Sequence, residues 1–154
     1  MIQFVYEQDE TISTLVARMI PGMKRGFGAC KTIGVLDEHD RFLAGIVFHG
    51  WTPENGTIVV SGAAFNPRWM SRGVLARIGQ FAFEECGCQM VLMQIPADNE
   101  RLLRQLAVIG FSFVNVPRFF GHGRDGVIAT LTDDDWQASR FNRKYASTKL
   151  EEAA

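Results

Sequence analysis

The order in which strand-like and helix-like segments follow one another constrains this fold more than any other feature of the sequence. Apolar and polar residues alternate in some segments and recur with a helical period in others, in the order strand, helix, three strands, helix, strand, helix, two strands. A chain of 154 residues can close one core and is too short for two ordinary domains. The predicted strands cover residues 2–6, 31–36, 42–51, 57–65, 89–95, 111–120 and 127–131, and the predicted helices cover 11–19, 73–85 and 99–109.

The connections between these segments predict how the strands pair. The acidic turn 37–40 joins two strands into an antiparallel hairpin, and the turn 53–56 leads directly into a third antiparallel strand. The helix at 73–85 lies between two strands, and a unit of this length favours a right-handed parallel crossover. Asp98 is the predicted cap of the following helix, and Gly110 its end. We therefore predict an α/β fold of the α+β type, with one mixed sheet of six or seven strands and helices on both faces.

The composition changes at the C-terminal end of the chain. Thr132 and Asp135 have the spacing of a capping box for a terminal helix. From Ser147 onward the chain has few apolar residues, so we expect this tail to fray in isolation. The sequence therefore divides into a domain at residues 1–132 and a C-terminal helix with a polar tail at 133–154.

Charge and hydrophobicity exclude several functions. Sixteen basic and seventeen acidic residues give a net charge of -1, so no global field attracts nucleic acid or an anionic membrane. The longest apolar run in the strand-like segments, near 43–48, is far shorter than the roughly 20 residues of a membrane span. The first ten residues turn acidic where a secretory signal would become apolar, so we expect a cytoplasmic protein with no membrane partner.

The cysteines do not indicate a metal site. Cys86 and Cys88 form a C-x-C pair without a second pair or nearby histidines, which is too few ligands for structural zinc. We interpret them as small packing thiols, one at a helix end and one at the start of a strand.

Several motifs in the second half of the chain occur together and resemble the GNAT superfamily of N-acetyltransferases. The resemblance covers nearly the whole chain and is strongest to degenerate, often phage-encoded, members of that superfamily. It implies a GNAT-like single domain. The motif residues are the strand end Phe65-Asn66-Pro67, the helix start Arg72-Gly73-Val74, Asn99, and Gly110-Phe111 eleven and twelve residues after it.

The resemblance implies that acetyl-CoA binds as a co-substrate between the strands that end near Phe65 and Ile95. The backbone at Ala64 and Phe65 would then bind the pantetheine arm and polarise the thioester carbonyl. Asn99 would lie at the opening where that arm emerges, and Trp69 would line the acceptor cleft. The simpler alternative for Asn99 is a residue that only starts a helix.

The same resemblance assigns the pyrophosphate to the helix start at Arg72, Gly73 and Val74. Free amides and the helix dipole favour negative charge there, and the Arg72 side chain can add a charge-assisted contact. The alternative is that Gly73 only begins the helix and Arg72 is a solvated charge. Residues 70–75 keep only the central glycine of the family's loop, and Leu75 is expected to crowd the helix N-terminus.

The expected proton-transfer residues are incomplete. Leu106 stands seven residues after the motif asparagine, where many family members have the tyrosine that protonates the departing thiolate. The strand 57–65 contains no carboxylate to accept the acceptor's proton. Glu54 and His49 are the candidates that could act through water, although a turn residue and a strand-end histidine are the simpler interpretations. His122, in a glycine-rich loop, is a further candidate near the substrate cleft.

Three functions remain open at this point. The first is a GNAT-like N-acetyltransferase that acts on an amine of a small molecule or a protein. The second is a catalytically degenerate GNAT-fold binding or assembly protein without turnover, in which the cleft or the C-terminal tail engages a homo-oligomer or another partner. The third is a modifier of nucleic-acid bases, which the neutral overall charge disfavours. Its phosphate contacts would be Arg140, Arg143, Lys144 and Lys149.

Overall fold

A single mixed sheet with helices on both faces forms the described part of the chain. The computed structural model describes residues 1–142. Its strands are β1 (Gln3–Val5), β2 (Cys30–Leu36), β3 (Phe42–Thr52), β4 (Thr57–Ala64), β5 (Met90–Pro96), β6 (Ser112–Val116) and β7 (Gly126–Thr132). Its α-helices are α1 (Asp9–Met19), α2 (Arg72–Gly79), α3 (Glu100–Ile109) and α4 (Asp133–Ala138). The strand order is β1-β2-β3-β4-β5-β7-β6, with β4 and β5 parallel and the other pairs antiparallel, which confirms the predicted fold class.

The helix α1 packs closely on one face of the sheet. Its buried residue Val16 belongs to a cluster with Val47 of β3. Gly45 permits this approach, because a Cβ there would lie 2.7 Å from Val16 Cγ2. On the opposite face, Phe48 of β3 lies in a cluster with Ala82, in the turn that follows α2.

The helix after β4 starts at a hydroxyl cap and ends in a wider turn. The Val74 amide donates to Ser71 Oγ at 3.2 Å, which is an N-cap contact. A π-helical turn, Gln80–Glu85, continues α2, and the Cys86 amide donates to the Phe81 carbonyl at 2.8 Å. The sequence pattern predicted one regular helix here, because a single wide turn barely changes the spacing of apolar residues.

The helix α4 closes the core next to this turn. The Asp135 amide donates to Thr132 Oγ1 at 3.2 Å, so the predicted cap at Thr132 is confirmed. Trp136 is buried, and its ring stacks on Phe83 with 6.1 Å between centroids. Gly79 makes this contact possible, because a side chain at that position would overlap the Trp136 ring.

Two predicted boundaries are wrong. Asn99 rather than Asp98 caps α3, since Asn99 Oδ1 accepts from the Leu102 amide at 3.4 Å. Aspartate and asparagine cap helices about equally well, so the sequence did not distinguish the two neighbours. The strand β6 ends at Val116, earlier than predicted, because Pro117 has no N–H to donate to a ladder.

None of the helices within residues 1–142 has the length and apolar character that a membrane crossing requires. The tail predicted to fray lies outside the described residues. The same is true of Arg143, Lys144 and Lys149.

Candidate functional site

The two parallel strands at the centre of the sheet separate soon after they meet. β4 and β5 pair at three positions, the last of which joins Val59 to Leu92. Beyond it, β4 stays paired with β3 as far as Ala64, and β5 stays paired with β7 as far as Pro96. The edges that β4 and β5 turn toward each other therefore carry backbone N–H and C=O groups with no strand partner in the described chain.

A cavity of about 520 Å³ lies along this gap. Its walls come mainly from β4, the loop after β4, α2 and α3, with further residues from β3, β5, β7 and α4. Arg101 is the one charged residue among the described residues that line it, whereas many lining side chains are apolar or aromatic. Small-molecule sites occupy about 300–1,000 Å³ and are mostly apolar with a few polar groups, so this cavity has the size and character of one. The uncharged polar residues in its lining are Ser61, Asn66, Asn99 and Gln105.

The first turn of α2 faces a second pocket of about 330 Å³ that shares lining residues with the cavity. Arg72 and Arg140 both line this second pocket. Within residues 1–142 the amides of Arg72 and Gly73 have no hydrogen-bond acceptor, whereas the Val74 amide is bonded to Ser71. A Cβ at Gly73 would meet only Ser71 Oγ, at 3.9 Å. Open amides at a helix N-terminus, flanked by two arginines, suit a phosphate or diphosphate.

Of the residues that the resemblance assigned to the coenzyme, Arg72 lines the second pocket, whereas Gly73 and Val74 line neither space. Ala64, Phe65 and Asn99 line the larger cavity, and so does Trp69, which was assigned to the acceptor cleft. Val74 is fully buried, and its amide is used in the helix cap. It therefore supports the helix start and offers no free amide to a ligand.

His49 reaches the cavity through one hydrogen bond. Its Nε2 lies 2.9 Å from Ser61 Oγ, and Ser61 lines the cavity although His49 does not. The imidazole is half-buried beside the ring of Phe27, with 4.8 Å between centroids. Burial lowers the pKa of His49 below 6.5, since desolvation disfavours the charged form. At neutral pH the ring is therefore neutral and can accept a proton through Ser61.

The other two candidates for proton transfer lie away from the cavity. Glu54 is exposed in the turn before β4. At about 3.3 Å per strand residue, Thr57 at the start of β4 is already roughly 13 Å from Ser61, and Glu54 lies beyond Thr57. His122 is exposed in the β6–β7 connection, where Arg118 Nη2 lies 2.9 Å from its Nδ1. Leu106 does line the cavity, so the position expected for a tyrosine carries an apolar side chain.

The described residues contain no group of three or more His, Cys, Asp or Glu side chains arranged to hold a metal ion. Burial raises the pKa of both Cys86 and Cys88, so these thiols stay protonated at neutral pH.

Sequence reasoning missed two residues that border the site and gave a third a different role. Ser61 is a hydroxyl residue within the otherwise apolar stretch 58–64, which is a signal that could have drawn attention to it. Gln105 follows Leu102 by three residues, so a polar group falls on the apolar side of α3. Arg140 was assigned to phosphate contacts in nucleic acid, and it lines the pocket at the start of α2 instead.

Comparison by sequence finds no matching protein family and no matching curated protein. Comparison by structure finds mutant forms of the spermidine/spermine N-acetyltransferase SpeG from Vibrio cholerae, with a TM-score of 0.71 and 8% identity over 90% of this chain and 98% of that chain. A chimera of the same enzyme with hSSAT gives a TM-score of 0.73 and 8% identity, over 89% of this chain and 98% of that one.

A third solved structure, described as an acetyltransferase, gives a TM-score of 0.64 and 19% identity. That match covers 72% of this chain and 61% of the other. Identities this low establish the architecture and leave the chemistry open. The chain has the fold of the GNAT-type acetyltransferases.

Proposed function

We propose that this protein is an N-acetyltransferase that moves an acetyl group from acetyl-CoA to an amine. The observation that carries the proposal is the gap between β4 and β5, which leads from unpaired strand backbone to the open first turn of α2. A long substrate with amide groups at one end and a diphosphate at the other matches both ends of this path.

The residues that would hold the coenzyme follow from their positions. The unpaired backbone of β4 beyond Val59 would bond the pantetheine amides, with Phe65 and Asn99 beside them. The amides of Arg72 and Gly73, with the Arg72 guanidinium, would hold the diphosphate. When bound, acetyl-CoA supplies an activated thioester.

The acceptor amine must lose a proton to attack that thioester, and His49 is the base that we propose. The Ser61 hydroxyl would accept the ammonium proton and donate its own to His49 Nε2, since these atoms already lie 2.9 Å apart. The N–C bond forms, the C–S bond breaks, and the electron pair leaves with the sulfur. Leu106 cannot protonate this sulfur, so solvent must do so. A missing general acid typically costs on the order of 10²- to 10⁴-fold in rate.

The lining of the cavity argues for an acceptor with a single amine. SpeG is named a spermidine/spermine acetyltransferase, and those acceptors carry several ammonium groups. Arg101 is the one charged residue in the described lining, and it would repel a polyamine. The acceptor that we propose is a monoamine, either a small molecule or an amine of a protein.

The competing proposal is a GNAT-fold binding or assembly protein without turnover. Leu106 at the tyrosine position supports it. A related solved structure of spermidine N-acetyltransferase from Vibrio cholerae is dodecameric, so a homo-oligomer is part of either proposal.

Thermal unfolding with and without acetyl-CoA tests the proposal. A ligand at 100 times its dissociation constant adds about 2.7 kcal/mol of apparent stability, which would appear as a clear rise in Tm. An unchanged Tm at millimolar acetyl-CoA would refute both coenzyme binding and acetyl transfer. A raised Tm, followed by no thiol release with any monoamine tested, would favour the binding protein.

A further inference from the structure

One part of the cavity extends beyond the point where β4 and β5 separate. Its walls include Val91 of β5, which pairs with both Ile58 of β4 and Leu131 of β7. The sheet is closed at this level, so the cavity continues past the gap along the face that α2 and α4 cover. The stacked rings of Phe83 and Trp136 complete the walls. We call Phe83, Val91, Leu131 and Trp136 the deep end of the cavity.

The deep end is apolar and well shielded. Val91 and Leu131 are each 4% exposed, and Trp136 is 5% exposed. None of the four side chains is charged, and the indole N–H of Trp136 is their one polar group. The backbones of Val91 and Leu131 lie within sheet ladders. Water would find few hydrogen-bond partners here, so an apolar group is the better occupant.

Acetyl-CoA would leave this space unfilled. Under the proposed function, on which this inference rests, the thioester lies in the gap against the β4 backbone after Val59. In that position the acetyl methyl group extends only one carbon beyond the carbonyl, so it fills little of the space that leads to Val91 and on to Trp136. A longer acyl chain continues in that direction and meets the apolar walls.

We propose that the donor this cavity prefers is a medium-chain acyl-CoA, from butyryl to octanoyl, with the acyl tail in the deep end. The reaction is otherwise unchanged. The acceptor nitrogen bonds to the acyl carbonyl carbon, the C–S bond breaks, the electron pair leaves with the CoA sulfur, and the amine proton passes through Ser61 to His49. The product is a medium-chain amide.

A chain-length series of coenzymes tests this preference directly. Dissociation constants for CoA and for its acetyl, butyryl, hexanoyl and octanoyl thioesters are measured by titration calorimetry on the full chain. Each buried methylene should tighten binding about fourfold until the deep end is full. A flat or falling series, with acetyl-CoA bound, overturns the medium-chain proposal and leaves the proposed acetyl transfer standing. Failure of every member of the series to bind overturns the proposed function itself.

Two opposite changes in the deep end locate the acyl tail. Val91→Phe narrows it and should reduce the octanoyl-to-acetyl affinity ratio at least tenfold, whereas Phe83→Leu widens it and should move the tightest binding to a longer chain. The ratio within one variant is an internal reference, so partial loss of folded protein does not change it. Phe83→Leu keeps the test decisive if Val91→Phe fails to fold. A ratio that neither variant changes would place the tail elsewhere, with an apolar acceptor in the deep end, and would overturn the proposal.

Discussion

The two faces of the sheet differ in how closely their helices approach. On the closed face, which we define as β2 and β3 covered by α1, Gly45 lets Val16 come so near that a Cβ would stand 2.7 Å from it. On the open face, which we define as the gap between β4 and β5 covered by α2 and α3, a cavity of about 520 Å³ separates helices from strands. Small-molecule sites are concave and mostly apolar, so a cavity of this size beside the sheet is a candidate ligand site. The closed face is tightly packed, whereas the open face carries the candidate site.

The largest effect that we expect concerns His49, which would receive the amine proton from the cavity through Ser61. His49→Gln keeps a polar side chain but removes the base, so kcat for acyl transfer should fall by about 10²- to 10⁴-fold. The rate of thiol release at saturating acyl-CoA measures this fall in kcat. His122→Gln is the matched control, because His122 is an exposed histidine outside the cavity lining. Equal rates in the two variants would remove His49 from the mechanism.

The pH profile of the same reaction provides an independent check. Burial lowers the pKa of His49 below 6.5, so the ring can act as a base at neutral pH. It loses this ability only below that value, where it becomes protonated. The rate should therefore fall as pH decreases through the lowered pKa, and this acidic limb should be absent in His49→Gln. The same shift means that the unfolded state takes up the proton more readily, so folding stability is fully present above pH 6.5 and decreases below it.

The second effect is on stability and contrasts one glycine from each face. Gly45→Ala places a methyl group against Val16 and should destabilise the protein by about 1–3 kcal/mol. Gly73→Ala enters open space in the first turn of α2 and should stabilise it by about 0.4–1 kcal/mol, because alanine reduces the entropy of the unfolded chain. Denaturant unfolding of both variants measures the difference. Equal destabilisation would mean that the open face is packed as tightly as the closed one.

The sequence predicted the fold better than the candidate site, because the two depend on different kinds of information. The antiparallel pairing of β2, β3 and β4 and the parallel crossover to β5 follow from local periods and turn residues, which is why they were predicted correctly. Periodicity shows which side of a helix faces inward but not how far the helix stands from the sheet, so the cavity was not predicted. The contact between His49 and Ser61 depends on register: Val47 pairs with Ser61, which places His49 diagonally across from it.

The third effect concerns the affinity for acetyl-CoA at the first turn of α2. Arg72→Glu should weaken acetyl-CoA binding about tenfold, since it replaces one charge-assisted contact to the diphosphate with repulsion. Arg104→Glu is the control, because Arg104 is an exposed arginine on α3 that lines neither pocket. The Arg72 contribution should also shrink at high salt. A calorimetric titration in which both variants bind alike would leave Arg72 as a solvated charge.

The smallest effect concerns Asn99, which both caps α3 and lines the cavity. Asn99→Ala removes a cap whose hydrogen bond is long, 3.4 Å, and exposed, so the cost should be about 0.5 kcal/mol, at the low end for caps. Asn99→Asp separates the two roles, since aspartate keeps the cap but puts a negative charge at the cavity. If Asn99 contacts the coenzyme, Asn99→Asp should unfold like the wild type in denaturant yet bind acetyl-CoA more weakly. Unchanged binding in both variants would show that Asn99 only starts the helix, because a residue that touches the ligand cannot exchange an amide for a carboxylate without effect.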